Sequence, residues 1–108
     1  VVAAALRGDE EAVLAWLEGG GRVDATFEYV FSSGERVRGM TLLMIAMMKG
    51  HEGLATALLQ RGADVSLQSS DDDTALSFAA AYGHEKSNEK LVELALRHGS
   101  EINQQIAF

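Results

Sequence analysis

The sequence predicts an all-α fold built from stacked helix-turn-helix units. Its apolar residues are mostly Ala and Leu, which favours helices over sheet as the main structure. The stretch from 39 to 66 contains two apolar runs at helical spacing, and related runs occur before and after it. The 108 residues, 47% of them apolar, are enough for one continuous core, so we expect a single domain over residues 1–108.

The clearest unit lies between residues 39 and 66 and is interrupted once, at Gly50-His51. The run before the interruption contains Leu42, Leu43, Ile45 and Ala46. The run after it contains Leu54, Ala55, Leu58 and Leu59. Both runs keep the spacing of one helix face, and Gly62 ends the second run. This unit is therefore predicted to be two short antiparallel helices joined by a turn.

Imperfect copies of this unit lie on both sides of it. In the copy before it, Gly8 takes the place of Gly50 and the first helix is cut short. In the copy after it, the helical patterns cover 73–84 and 91–103, with four extra residues, 85–88, between them. We predict units at about 1–25, 26–66 and 67–103, with 104–108 opening a further unit. Because the chain starts at Val1 without Met, we expect it to be an excerpt or a processed form of something longer.

These units resemble ankyrin repeats. The segments TLLMIA, KGH and ALLQRGADV in the central unit follow the ankyrin pattern almost position by position. The resemblance implies a solenoid whose units are joined by β-hairpin-like fingers, and whose partners bind the finger tips and the concave face of the first helices. Where the family pattern has TPLH, this chain has TLLM from Thr41 and TALS from Thr74. We therefore expect some hydrogen bonds of these turns to be lost.

One finger, near residues 26–38, is predicted to be longer than the others. In it Phe27, Tyr29 and Phe31 alternate with other residues, and a Ser-Ser-Gly turn follows. This pattern favours a β-hairpin with three aromatic rings on one face. A two-stranded ribbon is too thin to bury such a face alone, so either the first repeat or a partner protein covers it.

The resemblance also places the candidate partner contacts. They fall at the ends of the first helices and on the fingers. Met48 and Tyr82 are the strongest candidates, because an exposed thioether and an exposed phenol suit protein recognition. The alternative for Met48 is that it fills a gap beside Met44 and Met47. The predicted contact residues are Arg7, Tyr29, Phe31, Arg38, Met48, Lys49, Asp71, Asp72, Asp73 and Tyr82.

The run Asp71-Asp72-Asp73 replaces the glycine-bearing turn that is usual in the family. A solvated turn is the simplest explanation. Carboxylates this close repel one another, so a basic surface on a partner protein would relieve the repulsion. Calcium binding is a weaker alternative, because no loop of further ligands follows.

Composition and spacing argue against other classes of function. A formal net charge of −7 opposes binding to nucleic acid, and no basic stripe is visible. Cysteine is absent, and His51 and His84 occupy equivalent places in units whose axes stack ~8–10 Å apart, so we expect no metal and no cofactor. No catalytic arrangement is recognisable, and no apolar run approaches the ~20 residues of a membrane span.

We therefore predict a non-catalytic module that binds a protein partner, one with a basic surface if the acidic turn takes part. Two alternatives remain open. The chain is a structural subunit or spacer fixed in a larger assembly, or it is the regulatory segment of a longer enzyme. A soluble intracellular location is expected, and import into an organelle is left open by the missing N-terminal Met.

Overall fold

The computed structural model describes residues 1–82 together with Glu93 and Arg97. Within residues 1–82 there are five helices and one antiparallel sheet of two strands. In chain order these elements are α1 (Val2–Arg7), α2 (Glu10–Glu18), β1 (Thr26–Val30), β2 (Arg36–Thr41), α3 (Leu42–Lys49), α4 (Glu52–Gln60) and α5 (Ala75–Ala81). The predicted connection at 85–88, most of the predicted helix at 91–103 and the predicted further unit at 104–108 lie outside the described residues.

The helices form two layers. Helix α1 packs against α2 and α3 against α4, while α3 also packs between α1 and α5, and α2 packs against α4. Helix α1 turns into α2 at Gly8, whose φ of 74° is left-handed. A Cβ at Gly8 would lie 2.6 Å from the ring of His51, so this position requires glycine for space as well as for conformation. The predicted helix pairs of the first two units are thus present, stacked side by side.

Helix α3 forms the centre of the core. Every residue from Leu42 to Met48 is buried, so this helix is covered on all sides. Its neighbours contribute their own apolar residues to the same cluster, including Ala5, Val13, Leu58 and Phe78. Because helices of only two or three turns bury too little surface on their own, this shared cluster holds the units together.

The turns that open α3 and α5 keep their hydrogen bonds without the family's proline and histidine. The Thr41 hydroxyl accepts the N–H of Met44 at 3.2 Å, and the Sδ of Met44 accepts the N–H of Thr41 at 3.4 Å. At α5, the Thr74 hydroxyl accepts the N–H of Ser77 at 3.2 Å. The expected shortage of hydrogen bonds is therefore not found at the caps of these two helices.

The extended finger is a hairpin with one irregularity. Phe27 pairs with Met40, but Tyr29 pairs with Val37, so Glu28 faces two residues of β2. One of these two is Gly39, whose φ of 73° is left-handed. Such a bulge bends the strand that carries it. The predicted finger is therefore confirmed as a β-ribbon, and the bulge changes its direction close to the core.

The finger is fixed to the turn that precedes α5. The N–H of Arg38 donates to the hydroxyl of Ser70 at 2.9 Å, and the N–H of Ser70 donates to the carbonyl of Arg38 at 2.8 Å. These two bonds join positions 32 residues apart in the chain. They use the β2 backbone at the bulge, where strand pairing is interrupted.

Further hydrogen bonds link the first unit to the second. The Nε2 atom of His51 lies 2.8 Å from the carbonyl oxygen of Leu6, and the Asp24 carboxylate accepts the N–H of Asp64 at 2.9 Å. The sequence predicts a structural role for His51, and this contact between units gives it one.

Leu58 provides a test of the helix register, that is, of which residues of α4 face the core. Its side chain is fully buried in the shared core, so Leu58→Ala removes packed atoms and leaves a cavity. We expect the free energy of unfolding to fall by ~2–5 kcal/mol. Urea denaturation measures this loss. Gln60→Ala, on the exposed side of the same helix, is the control and should change the value by less than ~0.5 kcal/mol. A loss well below ~1 kcal/mol for Leu58→Ala would mean that the register is wrong.

Candidate functional site

A cleft of about 350 Å³ lies between the tip of the extended finger and helix α5. We call it the finger-helix cleft. The finger, helix α5 and the turn before α5 all contribute residues to its lining. Its lining residues are Phe31, Ser32, Ser33, Glu35, Val37, Asp71, Asp73, Ser77, Phe78, Ala81 and Tyr82.

Aromatic rings run from the finger to α5. Tyr29 and Phe31 make an edge-to-face pair with centroids 4.9 Å apart. Phe31 and Tyr82 are nearly parallel, at 15°, with centroids 6.5 Å apart, and Tyr82 continues to Phe78 at 6.2 Å. Phe78 is buried, whereas 46% of Tyr82 is exposed. The rings therefore anchor the finger tip on α5 and still present an aromatic surface to a ligand.

Carboxylates form a second part of the cleft lining. The side chains of Glu35 and Asp71 lie close enough to share a hydrogen bond when one of the two carboxyl groups is protonated. This bond raises the pKa of Glu35 above its usual value, and the negative charges of Asp71 and Asp73 add to the effect. None of the described lining residues is basic. The cleft thus holds negative charge that its described lining does not neutralise.

The acidic turn is held in a tight conformation by Ser69. The buried Ser69 hydroxyl accepts the N–H groups of Asp71 at 3.3 Å and Asp73 at 3.4 Å. Its backbone N–H donates to the carbonyl of Asp73 at 2.8 Å, and its carbonyl accepts the N–H of Asp72. Asp72 adopts a left-handed φ of 64°, which is the conformation that a glycine would adopt easily. The three carboxylates are therefore on a rigid turn.

The outer face of the finger is charged and separate from the cleft. Glu28 pairs with Arg36 at 3.8 Å and with Arg38 at 3.7 Å, and all three side chains are well exposed. Val37, between the two arginines, is buried and lines the cleft. Because side chains alternate along a strand, the arginines point away from the cleft.

The structure brings together four of the ten predicted contact residues. Phe31, Asp71, Asp73 and Tyr82 all line the finger-helix cleft. Tyr29 lies behind Phe31 as its edge-to-face partner. The remaining five are not part of the described cleft lining: Arg7, Arg38, Met48, Lys49 and Asp72.

The expected exposure of Met48 is wrong. Only 4% of this residue is exposed, because α3 is packed between α1 and α5. The alternative, in which Met48 fills space beside Met44 and Met47, agrees with this burial. Arg7 and Lys49 are exposed at the ends of α1 and α3, and Arg7 lies 3.7 Å from Asp9. A role for these two residues in partner binding stays a prediction.

The aromatic face of the finger is only partly covered. Phe27 lies against Trp16 of α2, with centroids 6.3 Å apart, so at the base of the finger the first repeat, one of the two expected alternatives, provides the cover. Phe31, at the tip, instead lies against Tyr82 of the third unit. Tyr29 and Phe31 remain half-buried, which leaves part of the tip available to a partner.

Sequence reasoning missed the residues that complete the cleft. Glu35 and Phe78 belong to it but were not predicted, and the same holds for Ser33 at its rim. The only signal for Glu35 was its place in the finger turn, a few residues after the aromatic run. In the described part of the chain, no three acidic or histidine residues are grouped closely enough to hold a metal ion.

Comparison with known proteins places this architecture in a family. The family model for ankyrin repeats matches residues 1–106 as three copies. This chain belongs to the ankyrin-repeat family. Membership accounts for the helix pairs and the joining fingers, and ankyrin repeats generally act as protein-protein interaction modules.

Curated relatives of this ankyrin-repeat chain are larger proteins. It is 32% identical over 96 residues to the protein named "Ankyrin repeat, SAM and basic leucine zipper domain-containing protein 1" of Gorilla gorilla gorilla, and the same values hold for that of Pan troglodytes. The match covers 89% of this chain and 18% of each relative. The chain therefore spans about a fifth of the length of these relatives. Among its described helices, none has the length and apolarity to cross a membrane.

The contact between Glu35 and Asp71 predicts a pH-dependent stability. Because the pKa of Glu35 is raised in the folded chain, the protonated Glu35 side chain stabilises the fold. This stabilisation is complete below the usual pKa of a glutamate, and it is lost as the pH rises through the raised pKa of Glu35. Glutamine keeps an N–H donor for Asp71 at every pH. We expect Glu35→Gln to melt at a higher temperature than the wild type at pH 7, with the difference disappearing near pH 4.

Asp71→Asn provides the matched comparison. Melting curves of both single variants and the double variant at the two pH values measure how far the two side chains are coupled. We expect the double variant to gain less than the sum of the single gains, because both changes relieve the same repulsion. A gain for Glu35→Gln that is equal at pH 4 and pH 7 would contradict the proposed pairing.

Proposed function

We propose that this ankyrin-repeat chain is a non-catalytic module that binds a protein partner through the finger-helix cleft. The observation that carries the proposal is the convergence of Phe31, Tyr82, Asp71 and Asp73 on one open cleft. These residues come from the finger, from the residue that caps the C-terminus of α5 and from the turn between units. They are the kinds of position through which ankyrin repeats contact other proteins.

The exposed surface around the cleft supports protein binding. Among the described residues, the large hydrophobic side chains that stand out as exposed are Tyr82, at 46%, and Val30, at 54%. Tyr82 lines the cleft, whereas Val30 is on the outer face of β1. Aromatic residues with a polar end are enriched where proteins bind each other, which favours the cleft as the contact surface.

Charge restricts the kind of partner. The cleft presents Glu35, Asp71 and Asp73, and the whole chain carries a net charge of −7. A partner with a basic contact surface would be attracted to the cleft, and a nucleic acid would be repelled by it. The proposal assigns no chemical step to the cleft, and it requires no metal or cofactor.

A photocrosslinking residue tests where a partner binds. We would place p-benzoylphenylalanine at Ser33, on the rim of the cleft, and, as the control, at Gln60 on the exposed side of α4. In a native extract we expect the Ser33 position to capture a defined protein that the Gln60 position does not. Equal capture from both positions, or capture from neither, would contradict the proposal.

Two serine variants then test whether the cleft itself is needed. Tyr82→Ser removes an exposed aromatic ring from the cleft, and Val30→Ser removes a similarly exposed apolar side chain outside it. We expect Tyr82→Ser to reduce capture from Ser33 at least about tenfold, the size of effect that one interface aromatic can have. Val30→Ser should leave capture unchanged. Melting curves of both variants exclude unfolding as the cause.

A further inference from the structure

The lining of the finger-helix cleft has two parts of different chemistry, which we call its aromatic wall and its acidic wall. One wall is aromatic, with Phe31 and Tyr82 nearly parallel at 15° and their centroids 6.5 Å apart. The other is acidic, with Glu35 facing Asp71 closely enough to share a hydrogen bond and Asp73 beside them. A ligand that fits both walls needs a flat face for the rings and a positive charge for the carboxylates.

The nearby cations are not placed to satisfy the acidic wall. Arg36 and Arg38 are paired with Glu28 at 3.8 Å and 3.7 Å on the outer face of the finger. None of the described lining residues carries a positive charge. A cation from outside the cleft would therefore replace the repulsion between carboxylates with attraction.

We propose that the cleft receives an arginine side chain of the partner protein, with its guanidinium against Tyr82 and Phe31 and its N–H groups directed at Glu35 and Asp71. This inference rests on the function proposed above and names the chemistry by which the partner is recognised. In this proposal, Tyr82 and Glu35 determine the specificity of the cleft for arginine.

The aromatic pair favours arginine over other cations. A cation is attracted to a ring when it lies within ~6 Å of the ring centroid, and the spacing of 6.5 Å allows one group to satisfy this for both rings. A guanidinium is planar and can stack on a ring while its fork of N–H groups bonds carboxylates. A lysine ammonium is compact and strongly hydrated, so it uses only the charge of the site.

The size of the cleft is consistent with one inserted side chain. Its volume of about 350 Å³ is at the lower end of the ~300–1,000 Å³ that is typical of ligand pockets. The buried Phe78 and Val37 among its lining residues give the stem of a long side chain apolar contact. The cleft is thus suited to an anchor residue, with the remaining partner surface spread over the finger and α5.

Three short peptides test the inference. The probes are acetyl-Gly-Arg-Gly-amide, its lysine counterpart, and its citrulline counterpart, which keeps the shape of arginine but is neutral. Each is titrated into the ¹⁵N-labelled chain at pH 7, and amide shifts are followed by NMR. We expect saturable shifts at Ser33, Glu35, Asp71 and Tyr82 with the arginine peptide. Binding should be at least about fivefold weaker for lysine and weaker still for citrulline.

Variants of the chain test whether the aromatic wall and the acidic wall each contribute to binding of the arginine peptide. Tyr82→Leu keeps an apolar side chain but removes the ring, and it should weaken arginine binding about threefold or more. Glu35→Gln removes one charge, and it should weaken binding about tenfold. Val30→Ser, on the outer face of the finger, should leave the affinity unchanged. The NMR spectrum of each variant confirms that it is folded.

Several outcomes would overturn the inference. Equal affinity for the arginine and lysine peptides, shifts spread over the acidic surface, or no shifts in the cleft would each reject it. If Ser33 still captures a partner and Gln60 does not, the module function stands and only the arginine anchor fails. If neither position captures a partner, or both capture equally, the function itself is rejected whatever the peptides show.

Discussion

The burial of helix α3 is the constraint on which the rest of the structure depends. All of its residues from Leu42 to Met48 avoid water, so α1, α4, α5 and β2 must each cover part of it. A helix of eight residues has little stability of its own in water. Its conformation is therefore maintained by its neighbours, and their positions are in turn fixed by it. The two-layer arrangement follows from this mutual dependence.

The same constraint explains where recognition chemistry is available. The side chains of α3 from Leu42 to Met48 are used for packing in the core. Contacts with another molecule therefore have to come from segments that extend beyond the two helix layers. The extended finger and the Ser69–Asp73 turn are such segments, and the Arg38–Ser70 hydrogen bonds hold them together. The cleft is thus built from connections between units on a scaffold that can tolerate their variation.

A feature could be predicted from the sequence when it depends on residues that are close together in the chain, and not when it depends on distant segments. The pattern at 39–66 correctly predicts α3 and α4, because helical periodicity is local. The sequence leaves the burial of Met48 as one of two alternatives, because it depends on α5 reaching the far side of α3. The contact between Glu35 and Asp71 was missed, since it requires the bend at Gly39 and the attachment at Ser70, which periodicity does not encode. The alternation of Phe27, Tyr29 and Phe31 predicts that these rings share one face of the finger, but it does not predict the direction in which the finger bends.

The bulge at Gly39 also bears on the solubility of the chain. The segment TFEYV is rich in β-forming residues and contains no proline, which is the composition of strands that associate edge to edge. The bulge interrupts the regular edge of β2, and Trp16 and Tyr82 cover part of the rings of Phe27 and Phe31. Arg36 and Arg38 place charge on the face that stays exposed. The finger thus contains features that protect it against aggregation. A change that removed the bulge and straightened the ribbon would remove part of that protection.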